Sequence, residues 1–427
     1  MTYSVTSPGR QVFEGHFRHY VHANETRGQR STALSRYGYD HWFVFAVVTL
    51  LAVGIVMVGS ASLGIAERQF GQPLYYLLRQ SVYIIIGLCA AALIMNIDLQ
   101  RWQRSGGMLL ISAVVMLILV LVPGIGHSVN GSMRWLSLGL INIQPSELVK
   151  LFVIVYLSGY LVRRREEVRS SITGFARPML LLTLLCLLLL AEPDFGAVAI
   201  MMTTAVALMF LAGVRLWQFV ALFAVVGLVL AMLAYSSPYR VARMTTFLDP
   251  WADPFASGFQ LTQALIAFGR GEWFGVGLGN SIQKLFYLPE AHTDFMFAVL
   301  AEELGLIVAA GVILLFVLLV LRAFIIGRRA ERAGQSFGGF LAYGLGLWIA
   351  LQAFTNIGVN LGVLPTKGLT LPLMSYGGSS LVVMLMAAGL IMRVDLESRQ
   401  VLIKRQAGRH SGRDSGHQSG SWWRKDR

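Results

Sequence analysis

The 427-residue sequence predicts an all-α polytopic membrane protein with ten transmembrane helices, and three observations carry that reading. Hydrophobic residues make up 56% of the chain, with a mean hydropathy of +0.63. Charged residues make up 13%, about half the roughly 25% usual in soluble domains. The apolar residues are gathered in uninterrupted runs, and a helix of about 20 such residues crosses roughly 30 Å of hydrocarbon. A soluble surface has no place for them. Soluble globular, fibrous, disulfide-rich and wholly disordered classes are excluded together.

Ten runs qualify: residues 42–63, 75–95, 108–122, 146–162, 178–191, 198–212, 216–233, 294–321, 340–361 and 373–392. The first cannot be a cleaved leader, because about 40 residues precede it and its apolar core exceeds the 7–15 residues of a signal peptide. The fifth and sixth are short and separated by Glu192-Pro193-Asp194, so a single kinked segment is the alternative. Charge decides between them. With ten crossings, 26 of the 35 Lys and Arg fall on the side of the two tails, eight fall on the other, and Lys150 lies within the membrane. The positive-inside rule then places both termini in the cytoplasm. Merging the two runs would send the cluster at Arg163 or the one at Arg322 outward. The net charge of +13 is therefore a topology signal, and no basic groove with stacking aromatics points to nucleic acid. Cys89 and Cys186 both lie in apolar runs and imply no disulfide framework.

Residues 1–40 and 396–427 are rich in Arg, Ser and Gly, and they read as disordered basic tails flanking a 41–395 membrane domain. The connection at 234–293, between the seventh and eighth crossings, is far longer than the usual 2–8 residues. It is predicted to be a large extracytoplasmic loop rich in aromatics, whose stretch at 259–268 reads as a helix lying in the interface. A belt of anchoring aromatics is the plainer alternative. Its Gly275-Val276-Gly277-Leu278-Gly279 resembles a dinucleotide fingerprint, yet no strand precedes it and the outer face holds no nucleotide.

The chemistry concentrates where this loop enters the eighth crossing, at Leu288-Pro289-Glu290-Ala291-His292-Thr293-Asp294-Phe295. Thr293 or Asp294 could serve only as a helix N-cap. Against that stand Glu290, His292 and Asp294 together at the membrane boundary, with Glu302 and Glu303 about two turns deeper. Carboxylates at such depth are costly and are paired or functional. Glu147 and Lys150 share a helix face at i, i+3 and either neutralise each other or line a polar cavity. Pro145, Pro193, Pro365 and Pro372 are placed to break helices beside it.

An outward-facing group transfer cannot draw on nucleotide-activated donors, and a lipid-linked diphosphate sugar arrives already activated. One carboxylate to take a proton from an attacking sugar hydroxyl and cations to hold the leaving diphosphate are the minimum set. The acids at the loop's end and the loop cations Arg240, Arg243, Arg270 and Lys284 supply it.

At this point the chain resembles the SEDS family of peptidoglycan glycosyltransferases, ten-helix proteins that polymerise lipid II. The likeness rests on Asn130-Gly131 with Arg134-Trp135, Gln144-Pro145-Ser146-Glu147 through Lys150, and Glu192-Pro193-Asp194-Phe195-Gly196. It continues through the Leu288–Phe295 motif, Glu302-Glu303-Leu304-Gly305 and Ser375-Tyr376-Gly377-Gly378-Ser379-Ser380. The segment Leu364-Pro365-Thr366-Lys367-Gly368-Leu369-Thr370-Leu371-Pro372 resembles the division branch. That resemblance implies a catalytic role for Asp294, with Lys150, Glu147, Arg243, Lys367, Glu290, His292, Arg134 and Arg240 as substrate contacts. It implies a divalent cation, Mg or Mn, as an optional cofactor. It also implies septal work in the bacterial inner membrane beside the class B penicillin-binding protein FtsI, with FtsQ, FtsL, FtsB and FtsN as further partners. Two other classes stay open: a transporter that flips lipid II through the Glu147/Lys150 region, and a non-catalytic scaffold for FtsI.

Overall fold

A computed structural model describes residues 38–129, 132–137, 142–215, 217–221, 224, 249–255, 258–285, 287–365 and 368–418. The seventh expected crossing therefore lies almost wholly outside the described residues, as do Asn130, Gly131, Arg240, Arg243 and Lys367.

The other nine crossings each correspond to a helix. They are α1 His41–Phe70, α2 Tyr75–Met95, α3 Leu99–Leu121, α4 Pro145–Arg163, α6 Ile172–Ala191, α7 Phe195–Leu211, α9 Met296–Arg332, α10 Ser336–Asn360 and α11 Gly378–Gln418. Eight are long and apolar enough to span a bilayer, and α7 is shorter. Local chemistry sets their ends. Asp40 caps α1 by accepting the Phe43 N–H at 3.1 Å, and Gly71 closes it in the left-handed region at φ 65°. Pro145 stands at the first position of α4, where its missing N–H costs nothing. Between α6 and α7, Asp194 accepts the Ala197 N–H at 3.1 Å and starts a new helix, so the fifth and sixth runs are separate. A short α5, Arg165–Ser170, links α4 to α6, and α8, Phe259–Gly271, is the helix expected in the long loop.

Two features depart from expectation. A three-stranded antiparallel sheet, β1 Gly126–Val129, β2 Ser132–Ser137 and β3 Asn142–Ile143, stands between α3 and α4 in an otherwise helical molecule. At the other end, the expected disordered tail from 396 is a correction: α11 runs on to Gln418, and Ser398 is fully buried. The reason is electrostatic. Asp395, 1% exposed, binds Arg329 and Arg399 and fixes the first turns of the presumed tail to the end of α9.

Burial sorts the helices. The apolar stretches of α4, α10 and α11 are each 78% buried, whereas those of α2 and α3 are 22% buried and face outward. The polar residues Glu147, Lys150, Gln352, Asn356 and Asn360 all sit on the inner helices, where protein and not lipid must satisfy them.

Helix α9 is broken at Gly305, whose φ of 78° and ψ of 176° suit glycine alone. The loop after α8 repairs the break. Leu306 N–H donates to Glu272 O at 2.9 Å and Ile307 N–H to Trp273 O at 3.3 Å, while Val276 and Gly277 N–H donate to Glu302 and Glu303 O, each at 3.0 Å. The two backbones touch: a Cβ on Gly275 would lie 2.2 Å from Glu303 O, and one on Gly305 would lie 2.4 Å from Gly275 N. The glycine-rich motif is thus a backbone crossing, not a phosphate cradle.

Candidate functional site

Asp294 lies two residues before α9, half-buried, at the end of the bundle where the sheet, the α6–α7 corner and the start of α11 also meet. Its backbone is gripped from α10. Asn356 and Asn360 both donate to its carbonyl, at 2.8 and 2.9 Å, while Asn360 Oδ1 accepts the Ala298 N–H at 3.1 Å. Its carboxylate, by contrast, accepts no hydrogen bond from the described residues. Burial, and then the nearby charge of Glu290, pushes its pKa up to about 7. A carboxyl group poised there exchanges a proton readily at neutral pH.

The amides of α10 form one stripe, at i, i+4 and i+8. Gln352 donates to Thr370 O at 3.1 Å and Asn356 to Leu369 O, so the segment after Lys367 is tied to the same helix that holds Asp294. A Cβ on Gly368 would stand 3.1 Å from Asp294 Oδ2, which brings this segment against the carboxylate itself. Sequence reasoning missed these three amides. Their signal was visible as polar residues at helical spacing inside an apolar run.

The expected substrate contacts are distributed unevenly. Glu290 is exposed at φ 56° and accepts Thr293 Oγ1–H at 2.7 Å. His292 is buried, its Nδ1 without a hydrogen bond, and burial lowers its pKa. Glu147 and Lys150 are 6% and 1% exposed and bonded to each other at 2.8 Å, the self-neutralising alternative the sequence left open. Lys150 also donates to Gln352 Oε1 at 3.2 Å and sits 5.2 Å from the Trp348 ring, so it reaches the Asp294 face only through the amide stripe. Arg134 donates to the carbonyls of Glu192 and Pro193 and braces the α6–α7 corner. At that corner Glu192 is fully buried with both carboxyl oxygens unbonded, and burial raises its pKa to about 8.

The deep acids are paired. Glu303 takes Lys284 Nζ at 2.7 Å and Ser60, and Glu302 takes Arg270 at 2.8 Å and Ser281. Among the described residues no three or more His, Cys, Asp or Glu side chains are grouped to hold a metal, so no step is derived through one.

Fold and site together define a polytopic helical membrane protein in which, among the described residues, the carboxyl groups of Asp294 and Glu192 are left without hydrogen-bond partners at one end of the bundle. A family model described as cell cycle protein, spanning FtsW, RodA and SpoVE, matches residues 41–400, and the chain belongs to that family. A probable peptidoglycan glycosyltransferase FtsW of Nitrosococcus halophilus is 60% identical over 368 residues, covering 86% of this chain and 95% of that protein. A counterpart in Legionella pneumophila is 54% identical over 361 residues, covering 84% and 92%. Among solved structures, a chain from a peptidoglycan synthase complex superposes with a TM-score of 0.71 at 30% identity, over 85% of this chain and 99% of that one. The Thermus thermophilus rod shape determining protein RodA superposes at 0.62 and 28% identity, over 84% and 97%.

Proposed function

We infer that this chain is a peptidoglycan glycosyltransferase that polymerises lipid II into β-1,4 glycan strands, with Asp294 as its general base. The observation that carries the reading is the Asp294 carboxyl: half-buried, unbonded by the described residues, raised to about 7, on a backbone held by two asparagines. In the reaction the Asp294 carboxylate takes the proton of the acceptor GlcNAc 4-hydroxyl, and that oxygen attacks C1 of the donor MurNAc. The C1–O bond to diphosphate breaks with inversion, and undecaprenyl diphosphate departs. Arg243 and Lys367 are the cations assigned to the leaving group, with Arg240 a further candidate; the approach of Gly368 to Asp294 supports Lys367. Glu290 tunes the base through its charge. Glu147 and Lys150 act from behind, through Gln352, on the segment that carries Lys367.

The enclosure of the Glu147–Lys150 pair favours transfer over translocation, since a flippase needs the midplane open to a polar headgroup. The protein is a multi-pass membrane protein. Cytoplasmic termini and action at the septum are part of the same proposal, supported by the charge distribution and the FtsW relatives. The synthase-complex neighbour supports a crosslinking partner, assigned to FtsI, with FtsQ, FtsL, FtsB and FtsN beyond it. Incubation of purified protein with labelled lipid II, with and without FtsI, tests the assignment. Wild type yields glycan ladders, whereas Asp294→Asn binds lipid II and yields none; ladders from that variant would remove Asp294 from the mechanism.

A further inference from the structure

Beside the base lies a cluster of aromatic rings that the mechanism above does not use. It joins three distant stretches of chain: the α1–α2 corner, the segment before Asp294 and the segment before α11. Phe70 stacks on Tyr75 with centroids 3.9 Å apart, and Tyr76 stands edge-on to both, at 5.9 and 5.4 Å. Tyr76 then meets His292 at 4.6 Å and Tyr376 at 4.9 Å. Arg79 closes the group, 5.0 Å from the Tyr75 ring centroid and beside the Tyr376 hydroxyl. Phe70 and Arg79 are exposed, and Tyr75, Tyr76 and Tyr376 are half-buried, so the group has an accessible side. The patch is rigidly registered to the base, because Tyr376 N–H donates to His292 O at 3.0 Å, two residues before Asp294.

Aromatic belts anchor helices at the membrane boundary and need no common cluster of rings to do so. Here stacked, tilted and edge-on rings gather in one place, and the buried His292 ring, whose Nδ1 has no hydrogen-bond partner among the described residues, has its centroid 4.6 Å from that of Tyr76 and 5.6 Å from that of Tyr376. The negative faces of aromatic rings suit the polarised C–H bonds of a pyranose, and hydroxyl, imidazole and guanidinium groups at the rim suit its oxygens. A guanidinium is also the best partner for a phosphate or carboxylate.

We propose that Tyr76, Tyr376 and His292 form a platform for the acceptor saccharide, seating its hydroxyl at Asp294 while Arg79 grips an oxyanion of the same molecule. This rests on the transferase reading for the identity of the sugar, but binding tests it without turnover. The probes are a lipid-free, phosphate-free GlcNAc–MurNAc oligosaccharide, the same oligosaccharide bearing its peptide, and lipid II. Each is titrated against Asp294→Asn protein carrying Tyr76→Ala, Tyr376→Ala or Arg79→Gln. Each ring removed should weaken all three probes by roughly 2- to 12-fold, and Tyr76→Phe should bind like its parent. Arg79→Gln should weaken lipid II alone if phosphate is the oxyanion, and the peptide-bearing sugar as well if it is a carboxylate. In turnover assays the same ring changes should raise KM more than they lower kcat. Where an alanine variant fails to fold, saturation transfer from aromatic protons of the Asp294→Asn protein to sugar protons gives the answer. Unchanged affinity in folded variants, or no transfer, overturns the platform. A wild-type protein that binds the oligosaccharide there but makes no glycan would instead overturn the transferase reading.

Discussion

The two ends of the bundle handle charge in opposite ways. At the end away from Asp294, acids and bases are spent on each other: Asp40 binds Arg322, Asp395 binds Arg329 and Arg399, and Arg393 binds Asp98 and Glu397. At the other end three groups are left without a partner among the described residues: the Asp294 carboxylate, both Glu192 oxygens and His292 Nδ1. Desolvating an unpaired polar group costs stability that pairing would recover. The Asp294 end pairs its deep acids too, Glu302 with Arg270 and Glu303 with Lys284, so what sets it apart is the small group around the base that pairing leaves out, kept for chemistry.

Breaking each end should therefore give a different phenotype. The largest effect is expected of Asp294→Asn, with polymerisation reduced about 100- to 10,000-fold, the range for loss of a general base, while lipid II affinity and thermal unfolding stay near wild type. Asp395→Ala should do the reverse. It leaves Arg329 and Arg399 with only the longer contacts to Asp40, at 4.0 and 3.8 Å, and should lower stability by roughly 1–2 kcal/mol in detergent unfolding, with glycan yield per folded molecule unchanged.

Asn356→Leu removes one of the two donors to the Asp294 carbonyl. Turnover should fall roughly 10-fold with KM for lipid II nearly constant; a drop in stability with turnover intact would make Asn356 a packing residue only. The pH profile comes next. A base works when deprotonated, so polymerisation should rise with pH through a midpoint near 7. Glu290→Gln removes a charge that raises that pKa, and the midpoint should move to lower pH. A pH-dependent effect on stability alone is expected at Glu192. Its folded pKa of about 8 lies above the ordinary 4.5, so the folded state holds a proton that the unfolded chain has released. Stability should therefore decline as pH rises from 4.5 to 8, and Glu192→Gln should flatten that decline in thermal melts.

The membrane class, the positions of the nine described crossings and the break at Glu192-Pro193-Asp194 were legible because long apolar runs and charge asymmetry are strong one-dimensional signals. The sheet was not, since β1 to β3 are two to six residues each and rest on tertiary contacts. Nor was the fate of the cations. Sequence shows that Lys284, Arg270 and Arg134 lie on the Asp294 side, but only folding reveals that Glu303, Glu302 and two carbonyls occupy them. The tail from 396 was hidden for the same reason: its composition is polar, yet Asp395 at its start, buried on α11, binds Arg399 one turn on and Arg329 of α9.

The crossing of Gly275 over Gly305 divides α9 mechanically. The segment at 272–277 is stitched to both sides of the break, to the Glu302 and Glu303 carbonyls before it and to the Leu306 and Ile307 N–H groups after it. Before the break the helix is buried, and beyond it Leu306, Ile307, Leu314 and Leu321 are exposed. Asp294 lies two residues ahead of the buried half. Force applied to that segment by a docked protein would travel along peptide hydrogen bonds into the broken helix, and through its buried half to the base.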